Sequence, residues 1–405
     1  MDSNQLFTMA LNMGAQWNVV KSEFTGEPKQ LELTVKFVPG TKFPDPESGV
    51  LCAVHDTVEK SWRHLNFWQY QTVLRARVPR VIAPDGSVRM VAVPWAREGS
   101  GFTLLFEAFA MLLMREMPVS AAGEVVGCHD TRLWRLLKHY VDKAHAAADW
   151  SGVKSLAIDE TSARRGHRYV TNVLDMEGRG RLLFMTEGKG AETVEAFGKE
   201  LEEHGGSKEE IESMALDMSA AFIKGTRETF PKAALVFDKF HLMQLAGQAV
   251  DEVRKELVRA GADLKGCLWA LRGNEWNLKD TQQQSRARLS SQYEPLGRAL
   301  GLRSALQDIF APGAPDGRAV LEQWCRWAER SKLKSFVTLA GTIRRHWEGV
   351  VAYFKWQVTS ARMEAINGVL QTAKRRARGY RNFTYFRTVA YWIAGKLTLN
   401  LPELA

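Results

Sequence analysis

Residues 155–175, Ser-Leu-Ala-Ile-Asp-Glu-Thr-Ser-Ala-Arg-Arg-Gly-His-Arg-Tyr-Val-Thr-Asn-Val-Leu-Asp, decide the fold that the sequence predicts. The short apolar run 156–158 stops on Asp159 and Glu160, and a basic turn leads to a second β-forming run over 169–174. A brief apolar run bounded by turn signals is typical of a buried strand. Because carboxylates are costly inside a sheet, we expect Asp159 at the exposed carboxyl end of this strand, the edge at which open α/β sheets place their chemistry.

Two later apolar runs also end on an aspartate. Residues 214–216 precede Asp217 and residues 234–237 precede Asp238, with a helix-like segment over 191–204 before the first of them. Strands that alternate with helices in this way are predicted to run parallel, so their carboxyl ends meet at one edge. Three aspartates at one edge would form the all-oxygen kind of site that a hard metal ion needs.

The composition is that of a globular protein with a basic surplus. The chain has 405 residues, 45% of them hydrophobic and 25% charged, and 55 basic against 46 acidic residues give a net charge of +9. Such a charge favours nucleic acid or another polyanion as a partner. Because no apolar run approaches the roughly 18 residues that span a bilayer and the first residues lack a signal-peptide pattern, we expect no membrane partner and a cytoplasmic location.

Residues 1–95 are predicted to form a small β-rich domain. Strands are expected over 31–38, 71–78 and 87–93, with a turn at 83–86 before the last of them. The aromatic residues of this segment could pack as a core or form platforms for stacked bases, and core packing is the favoured role. They are Trp62, Phe67, Trp68, Tyr70 and Trp95.

Residues 96–150 are predicted to contain a helix-turn-helix. A helical run over 102–114 is followed by a short helix over 119–127 and by an amphipathic helix over 132–145. A short helix, a tight turn and a second helix with a basic side resemble a DNA-binding arrangement. An ordinary helical hairpin with a solvated basic face fits the pattern equally well. The candidate DNA contacts are Arg132, Arg135 and Lys138.

The remaining chain is predicted to be an α/β domain with a helical interruption. Residues 151–242 contain the strand signals, including a two-strand meander after the first strand. The strand signal is lost over 243–350, where charged and Leu-rich stretches predict helices with a Pro/Gly break at 311–317. The final segment, 351–405, completes the domain.

In the final segment a helix is predicted to begin at Thr359 or Ser360, and its Glu364 lies one turn from Asn367. The apolar stripe of this helix consists of Met363, Ile366, Leu370 and Ala373. A basic cluster follows, and it is formed by Lys374, Arg375, Arg376, Arg378 and Arg381. Such a cluster is often only a solvated face. Because Glu364 lies at the boundary of the apolar stripe and the basic cluster follows it, we favour Glu364 as a metal ligand and the cluster as a phosphate-binding strip.

Asp159, Asp217 and Glu364 can together supply the oxygen ligands of two hard cations. In-line displacement at a phosphodiester needs charge neutralisation on the attacking and leaving oxygens, which two ions about 4 Å apart provide. We expect Asp159 to bridge both ions, Asp217 to hold one and Glu364 the other. Mg²⁺ is the expected ion because all the ligands are oxygen, and Mn²⁺ should substitute for it.

A series of motifs in the same order resembles the ISL-three family of DDE-type insertion-sequence transposases. These motifs are Ile158-Asp159-Glu160, Leu216-Asp217-Met218-Ser219, Phe237-Asp238-Lys239-Phe240-His241, Ser360-Ala361-Arg362-Met363-Glu364-Ala365-Ile366-Asn367 and Arg378-Gly379-Tyr380-Arg381-Asn382. The likeness extends upstream through Val93-Pro94-Trp95-Ala96-Arg97 and His129-Asp130-Thr131-Arg132-Leu133-Trp134. It therefore covers nearly the whole chain.

The resemblance implies an RNase H-like mixed sheet interrupted by the all-helical insertion, and the family's catalytic triad falls on Asp159, Asp217 and Glu364. It implies a DNA transposase that binds the terminal inverted repeats of an insertion sequence and performs metal-dependent phosphodiester hydrolysis and strand transfer. The implied setting is the bacterial cytoplasm, associated with the nucleoid. The implied partner is double-stranded DNA, bound by a homodimer because two ends must be joined. The alternatives are a catalytically inactive or domesticated DNA-binding relative and an RNase H-like nuclease or resolvase.

Asp238 falls on a family motif outside the triad. We interpret it, with His241 and Asn367, as a support that orients the metal ligands, although a helix N-cap is an equally good role for Asp238. Arg164 and Arg165 of the basic turn are further candidate DNA contacts.

The resemblance also implies an N-terminal zinc ribbon with two Cys-x-x-Cys knuckles, and here the sequence departs from it. The matching positions are Asp45 with Ser48 and Ala83 with Gly86. Since these four residues together cannot replace a set of four thiolates around Zn²⁺, we predict a zinc-ribbon-like domain without zinc, held by its aromatic core. The widely spaced cysteines also predict no disulfide framework, and a metal site at Cys52 with His55 is disfavoured.

Overall fold

A computed structural model describes residues 2–164, 168–274, 277–311, 317–357 and 361–403, with only the backbone described at 162–164, 168 and 361. Arg165, Thr359, Ser360 and most of the predicted break at 311–317 lie outside the described residues, as does the side chain of Arg164. The chain forms two units, Met1–Asp142 with Thr398–Ala405 and Lys143–Leu397.

The strands of the first unit are β1 (Trp17–Thr25), β2 (Gln30–Phe37), β3 (Phe43–Pro44), β4 (Leu51–Cys52), β5 (Val54–Arg63), β6 (Gln71–Ile82) and β7 (Val88–Met90). Five of them form a sheet in the order β1-β2-β6-β5, with β7 paired to β6, while β3 pairs with β4. Alternate residues of β2 are buried, namely Leu31, Leu33 and Val35, because side chains of a strand point to opposite faces in turn.

Aromatic side chains pack the core of this sheet, as the sequence predicts. The ring of Trp17 lies 4.9 Å from that of Trp95, and Trp62 lies 5.5 Å from Trp95 on another side. Trp62 and Trp95 are both buried. The prediction of core packing is wrong for Trp68, which is 80% exposed at a left-handed backbone position outside the sheet.

The positions expected to hold cysteine knuckles are joined instead by hydrogen bonds and an ion pair. Asp45 is fully buried, and its Oδ2 accepts hydrogen bonds from Ser48 N at 2.8 Å and Ser48 Oγ at 2.6 Å. Arg89 Nη1 lies 3.3 Å from Asp45 Oδ1, and Arg89 Nη2 lies 2.6 Å from Asp85 Oδ2. Because Asp85 belongs to the turn that ends at Gly86, Arg89 connects the two knuckle positions by charge.

Four helices belong to the first part of the chain. They are α1 (Ser3–Leu11), α2 (Leu104–Glu116), α3 (Val119–Val126) and α4 (Asp130–Ala146). Thr103 caps α2 through a hydrogen bond to Phe106 N, and Gly127 ends α3 in the left-handed region that glycine adopts without a steric penalty. The predicted short helix, turn and long amphipathic helix are therefore present.

The second unit is built on a mixed five-stranded sheet. Its strands are β8 (Ser155–Arg164), β9 (Arg168–Asp175), β10 (Arg181–Glu187), β11 (Ser213–Leu216) and β12 (Ala234–Phe237). Their order is β10-β9-β8-β11-β12, with β8, β11 and β12 parallel and the meander β8-β9-β10 antiparallel. This is the meander and the parallel extension that the sequence predicts.

Helices cover this sheet and fill the predicted helical segment. They are α5 (Ala191–Glu203), α6 (Ala220–Thr229), α7 (Lys239–Arg259), α8 (Leu268–Arg272), α9 (Asp280–Gln292), α10 (Glu294–Ile309), α11 (Gly317–Arg330), α12 (Lys334–Arg345), α13 (Trp347–Trp356), α14 (Ala361–Arg376) and α15 (Phe383–Ala394). One hydrophobic cluster runs from the sheet residue Leu156 through Leu242 to Phe336. Burial therefore binds the inserted helices to the sheet.

The expected position of Asp159 at the end of its strand is wrong. Strand β8 continues to Arg164, and Asp159 pairs with Asn172 of β9 inside the antiparallel ladder. The carboxylate is tolerated there because side-chain and backbone donors reach it, which propensity along the sequence does not reveal. The sequence also gave no prediction of α1, β1 or β5. No helix in the described part of the chain is long and apolar enough to cross a membrane.

Candidate active site

The carboxylates of Asp159 and Asp217 are brought together by neighbouring parallel strands. Strand β11 pairs with β8 up to Ala215 opposite Ala157 and ends at Leu216. Asp217 therefore follows the end of β11 beside the point where β8 carries Asp159. Ser219 N donates to Asp217 Oδ1 at 2.9 Å, and Glu160 N donates to Asp159 Oδ1 at 2.8 Å.

Helix α14 contacts Asp159 through Asn367. Its Nδ2 donates to Asp159 Oδ2 at 2.7 Å across a sequence separation of 208 residues. Buried Met363 and Leu370 hold the helix in place, and the guanidinium of Arg362 donates to the Met176 carbonyl. A late helix is thereby fixed against the strand that carries the first carboxylate.

The Asn367 amide is oriented by two polar residues of the sheet. Thr161 Oγ1 donates to Asn367 Oδ1 at 3.1 Å, and Asn172 Nδ2 lies 3.0 Å from Thr161 Oγ1 and 3.5 Å from Asn367 Oδ1. With its oxygen occupied by donors, the amide must present its nitrogen to Asp159. Neither Thr161 nor Asn172 was singled out from the sequence. Thr161 was detectable, because it lies two residues after Asp159 on the same face of β8.

Glu364 lies in the first turn of α14, about one turn before Asn367. It precedes Asn367 by three residues, and residues three apart on a helix occupy one face. The side chain is exposed, whereas Asp159 and Asp217 are half-buried. The three predicted carboxylates thus come from β8, from the end of β11 and from α14, and the Asn367 hydrogen bond ties the last of these elements to the first.

The neighbours of Asp159 stabilise its ionised carboxylate only in part. Burial raises its pKa above the ordinary value, and the nearby negative charge of Asp217 acts in the same direction. The hydrogen bonds from Asn367 and from Glu160 N, together with the field of His241, lower the pKa and offset part of this rise. A partly buried carboxylate that faces a second negative charge is a group that a bound cation would stabilise.

Asp238 and His241 differ in their relation to this edge. Asp238 is buried and acts as the N-cap of α7, since its Oδ1 accepts a hydrogen bond from Phe240 N at 3.0 Å. The N-cap role considered from the sequence is therefore present. His241 lies in the first turn of α7, close enough to Asp159 to lower the pKa of that carboxyl.

The predicted DNA contacts on α4 are not equivalent. Arg132 lies over the ring of Phe102 at 4.2 Å from its centroid, and its Nη2 donates to the Gly101 carbonyl at 3.4 Å. Lys138 pairs with Asp142 one turn later, while Arg135 is exposed. Arg132 thus has a packing role within its own unit, which the helical pattern could not reveal.

The predicted basic strip begins in the last turn of α14 and continues past its end. Arg375, Arg376, Arg378 and Arg381 are exposed, and Lys374 is half-buried. Arg378 and Gly379 both have left-handed backbone angles, so the chain turns sharply there. Cationic side chains at the carboxyl end of a helix also stabilise its dipole, so their presence alone does not assign a ligand.

An α/β unit with aspartates on neighbouring parallel strands, preceded in the chain by a short helix, a turn and a basic amphipathic helix, is typical of proteins that process DNA. Residues 156–390 match the family model of the ISL3 DDE domain, described as a transposase. Residues 91–141 match the helix-turn-helix domain of transposase family ISL3. The chain belongs to transposase family ISL3, which confirms the resemblance found in its motifs, the helix-turn-helix included.

Two relatives are similar over most of the chain. The transposase for insertion sequence element IS1001 of Bordetella parapertussis is 28% identical over 358 residues, covering 84% of this chain and 86% of the relative. The transposase for insertion sequence element IS1557 of Mycobacterium tuberculosis is 27% identical over 359 residues, covering 80% and 79%. The similarity thus includes both the helix-turn-helix and the sheet with its acidic edge.

Proposed function

We propose that this transposase binds the terminal inverted repeats of an insertion sequence and uses Asp159, Asp217 and Glu364 to cleave DNA and transfer strands. The proposed catalytic domain is RNase H-like, which the sheet order with its antiparallel meander and two parallel strands supports. The observation that carries the proposal is the hydrogen bond from Asn367 to Asp159, because it brings the helix of Glu364 to the strand of the first aspartate.

The residues present fit a hard divalent cation. Asp159 and Asp217 offer carboxylate oxygens at one edge, and the hydrogen bonds given to them by Asn367, Glu160 N and Ser219 N come from neutral donors. Each carboxylate has about four lone-pair sites, so these bonds leave ligand positions open. We propose that Mg²⁺ is held by Asp159, Asp217 and Glu364, with Mn²⁺ able to replace it. Two such ions, when bound, would stabilise the charge on the attacking and leaving oxygens.

The protein's own residues have distinct proposed tasks. Asn367 holds the Asp159 carboxylate in one orientation, with Thr161 and Asn172 fixing the amide. His241 lowers the pKa of Asp159 and so favours its ionised form. The exposed arginines at the end of α14 and just beyond it are proposed to contact DNA phosphates, together with Arg135 on α4 and with Arg164 and Arg165. Binding through such contacts should weaken steeply as salt rises.

The wider arrangement is also proposed. We divide the chain into a zinc-ribbon-like domain over 1–95, a helix-turn-helix region over 96–150, and a catalytic core over 151–242 and 351–405 interrupted by helices over 243–350. The partner is double-stranded DNA at the element ends and at the target. A homodimer on DNA follows from the need to join two ends, and the bacterial cytoplasm is the expected location.

The test is cleavage of DNA that carries the element ends, with Mg²⁺ and separately with Mn²⁺. Asp159→Ala and Glu364→Gln should each lose more than about 100-fold in cleavage rate, since both remove a proposed metal ligand. Glu348→Gln is the matched control, because Glu348 is an exposed glutamate of the preceding helix α13.

Three results would overturn the proposal. Equal cleavage by all the variants would exclude a catalytic role for the acids. Tight DNA binding without cleavage in either metal would identify a non-catalytic DNA-binding relative. Faster cutting of branched or RNA–DNA hybrid substrates than of the element ends would identify a nuclease or resolvase.

A further inference from the structure

Two histidines and a glutamate converge at a place in the second unit that the proposed cleavage reaction does not use. His145 lies in the last turn of α4, Glu200 in α5, and His204 at the C-cap of α5. One ligand atom from each residue lies within 4.8 Å of the others. Glu200 Oε1 is 4.0 Å from His145 Nδ1 and 3.7 Å from His204 Nε2.

One nitrogen of each imidazole is hydrogen-bonded to a backbone carbonyl. His145 Nε2 lies 2.9 Å from the Leu183 carbonyl oxygen, and His204 Nδ1 lies 2.9 Å from the Ala148 carbonyl oxygen. Because a carbonyl only accepts hydrogen bonds, these nitrogens carry the protons. The other nitrogens, Nδ1 of His145 and Nε2 of His204, present lone pairs toward Glu200. A backbone carbonyl that fixes the tautomer in this way is typical of histidines that bind metal.

Aromatic neighbours hold both imidazole rings in place. The ring of His145 stacks on Tyr391 at 4.1 Å, and the ring of His204 stacks on Trp150 at 3.9 Å. Burial lowers the pKa of His145, and the charges of His204 and Arg387 act in the same direction, while the hydrogen bond with the Leu183 carbonyl and the charge of Glu200 oppose the shift.

We propose that His145, Glu200 and His204 bind one transition-metal ion, with Zn²⁺ the first candidate, and leave a fourth position for water. Tetrahedral zinc with ligand bonds of about 2.0–2.2 Å needs ligand atoms about 3.3–3.6 Å apart, so the side chains must move by less than about 1 Å. Two imidazoles and a carboxylate suit Zn²⁺ better than Mg²⁺, which prefers oxygen. Glu200 is 32% exposed, and this side gives the ion access to solvent.

This ion would join parts of the chain that are far apart in sequence. It would tie the end of α4 to α5, and the carbonyl of Leu183 in β10 would hold one of its ligands. The expectation of no zinc rested on the missing N-terminal cysteines, and the cluster lies outside that domain. The proposal is independent of the cleavage function, because none of its ligands belongs to the acidic edge.

The test is titration of the metal-free full-length protein with Co²⁺, followed by competition with Zn²⁺. An Asp159→Asn, Glu364→Gln background removes binding at the acidic edge. Histidine-ligated tetrahedral Co²⁺ gives a strong visible absorption that octahedral oxygen sites lack. We expect about one equivalent of this species, displaced by Zn²⁺, and a higher unfolding temperature with Zn²⁺ present.

His204→Gln and Glu200→Gln should each weaken Co²⁺ binding by at least about tenfold, the lower end for altered metal sites. His346→Gln is the control, because His346 is a histidine of the same unit outside the cluster. Glu200→Gln serves if His204→Gln fails to fold, since Glu200 is partly exposed. No tetrahedral Co²⁺ signal in the parent, or equal binding by the cluster variants and His346→Gln, would overturn the proposal.

Discussion

Asp45 in the first unit is buried and Asp159 in the second is half-buried, yet their surroundings shift the two carboxyl pKa values in opposite directions. Asp45 receives two hydrogen bonds from Ser48 and an ion pair from Arg89, and its pKa lies below the ordinary value. Asp159 receives hydrogen bonds from neutral donors and faces Asp217, and its pKa lies above the ordinary value. The charge of Asp45 is thus balanced by a cation within the protein, whereas that of Asp159 has only neutral hydrogen-bond donors.

The contrast separates a structural carboxylate from a proposed catalytic one. At Asp45, the protein supplies the cation itself, through Arg89, at positions where the family resemblance implies zinc ligands. At Asp159, the fold supplies orientation through Asn367, and in our proposal a metal ion balances the negative charge. A buried charge is costly unless it is paired, so the second arrangement is most favourable with the ion bound.

Replacement of the two aspartates by asparagine should therefore give the largest contrast. Asp159→Asn should reduce cleavage of element-end DNA by more than about 100-fold, because it removes a charged metal ligand. Its unfolding temperature should change less than that of Asp45→Asn. Single-turnover cleavage and thermal unfolding measure the two effects. Substantial cleavage by Asp159→Asn would contradict a role of Asp159 as a charged metal ligand in catalysis.

Removal of the orienting amide should have a smaller effect on catalysis. Asn367→Leu keeps the volume but loses the donor to Asp159, and we expect cleavage to fall by about 10- to 100-fold. Since that hydrogen bond lowers the pKa of Asp159, the acid side of the pH–rate profile should also move to higher pH.

Thr372→Val, an exposed position on the same helix, is the control for this experiment. It should change neither the rate nor the pH profile. A fall in the Asn367→Leu rate without a shift of the profile would mean that the amide supports the helix and does not act on the carboxylate.

Removal of the compensated charge should affect stability and leave catalysis intact. Asp45→Asn breaks the ion pair with Arg89, and we expect the first unit to unfold a few degrees lower, as judged by calorimetry. Asp85→Asn, which changes the exposed partner of the same arginine, should have a smaller effect. A cleavage defect of Asp45→Asn in fully folded protein would contradict a purely structural role.

The pH dependence of stability should have opposite signs at the two aspartates. The pKa of Asp45 is lowered on folding, so its stabilisation is present above the unfolded pKa and is lost as the pH falls through the folded pKa. The pKa of Asp159 is raised, so its contribution decreases as the pH rises through the folded pKa. Denaturant unfolding of both asparagine variants and the parent at about pH 3 and about pH 6 would test this. The same sign for both residues would refute the contrast.

The sequence predicted the elements that carry the acidic residues better than the contacts around those residues. Apolar runs ending in aspartate predicted the parallel strands β8, β11 and β12, and the Glu364 helix pattern predicted α14. The extension of β8 beyond Asp159 was missed, because Asp and Glu have little strand propensity and the stabilising donors come from Asn367 and the β9 ladder.

The supporting contacts were harder to predict for a general reason. Asn172 and Thr161 are ordinary polar residues in a strand, and only the pairing of β8 with β9 brings them to Asn367. The histidine cluster was hidden in the same way. The spacing of Glu200 and His204 on one helix is visible in the sequence, but the arrival of His145 depends on the fold. Contacts across large sequence separations are set by packing, which local patterns do not encode.

The most direct test of the account is the structure of the protein bound to element-end DNA with Mn²⁺, in which anomalous scattering locates the ion. We predict manganese at about 2.1 Å from carboxylate oxygens of Asp159 and Asp217, with Glu364 completing the site from α14. Manganese absent from this edge, or Glu364 directed into solvent in the assembled complex, would contradict it.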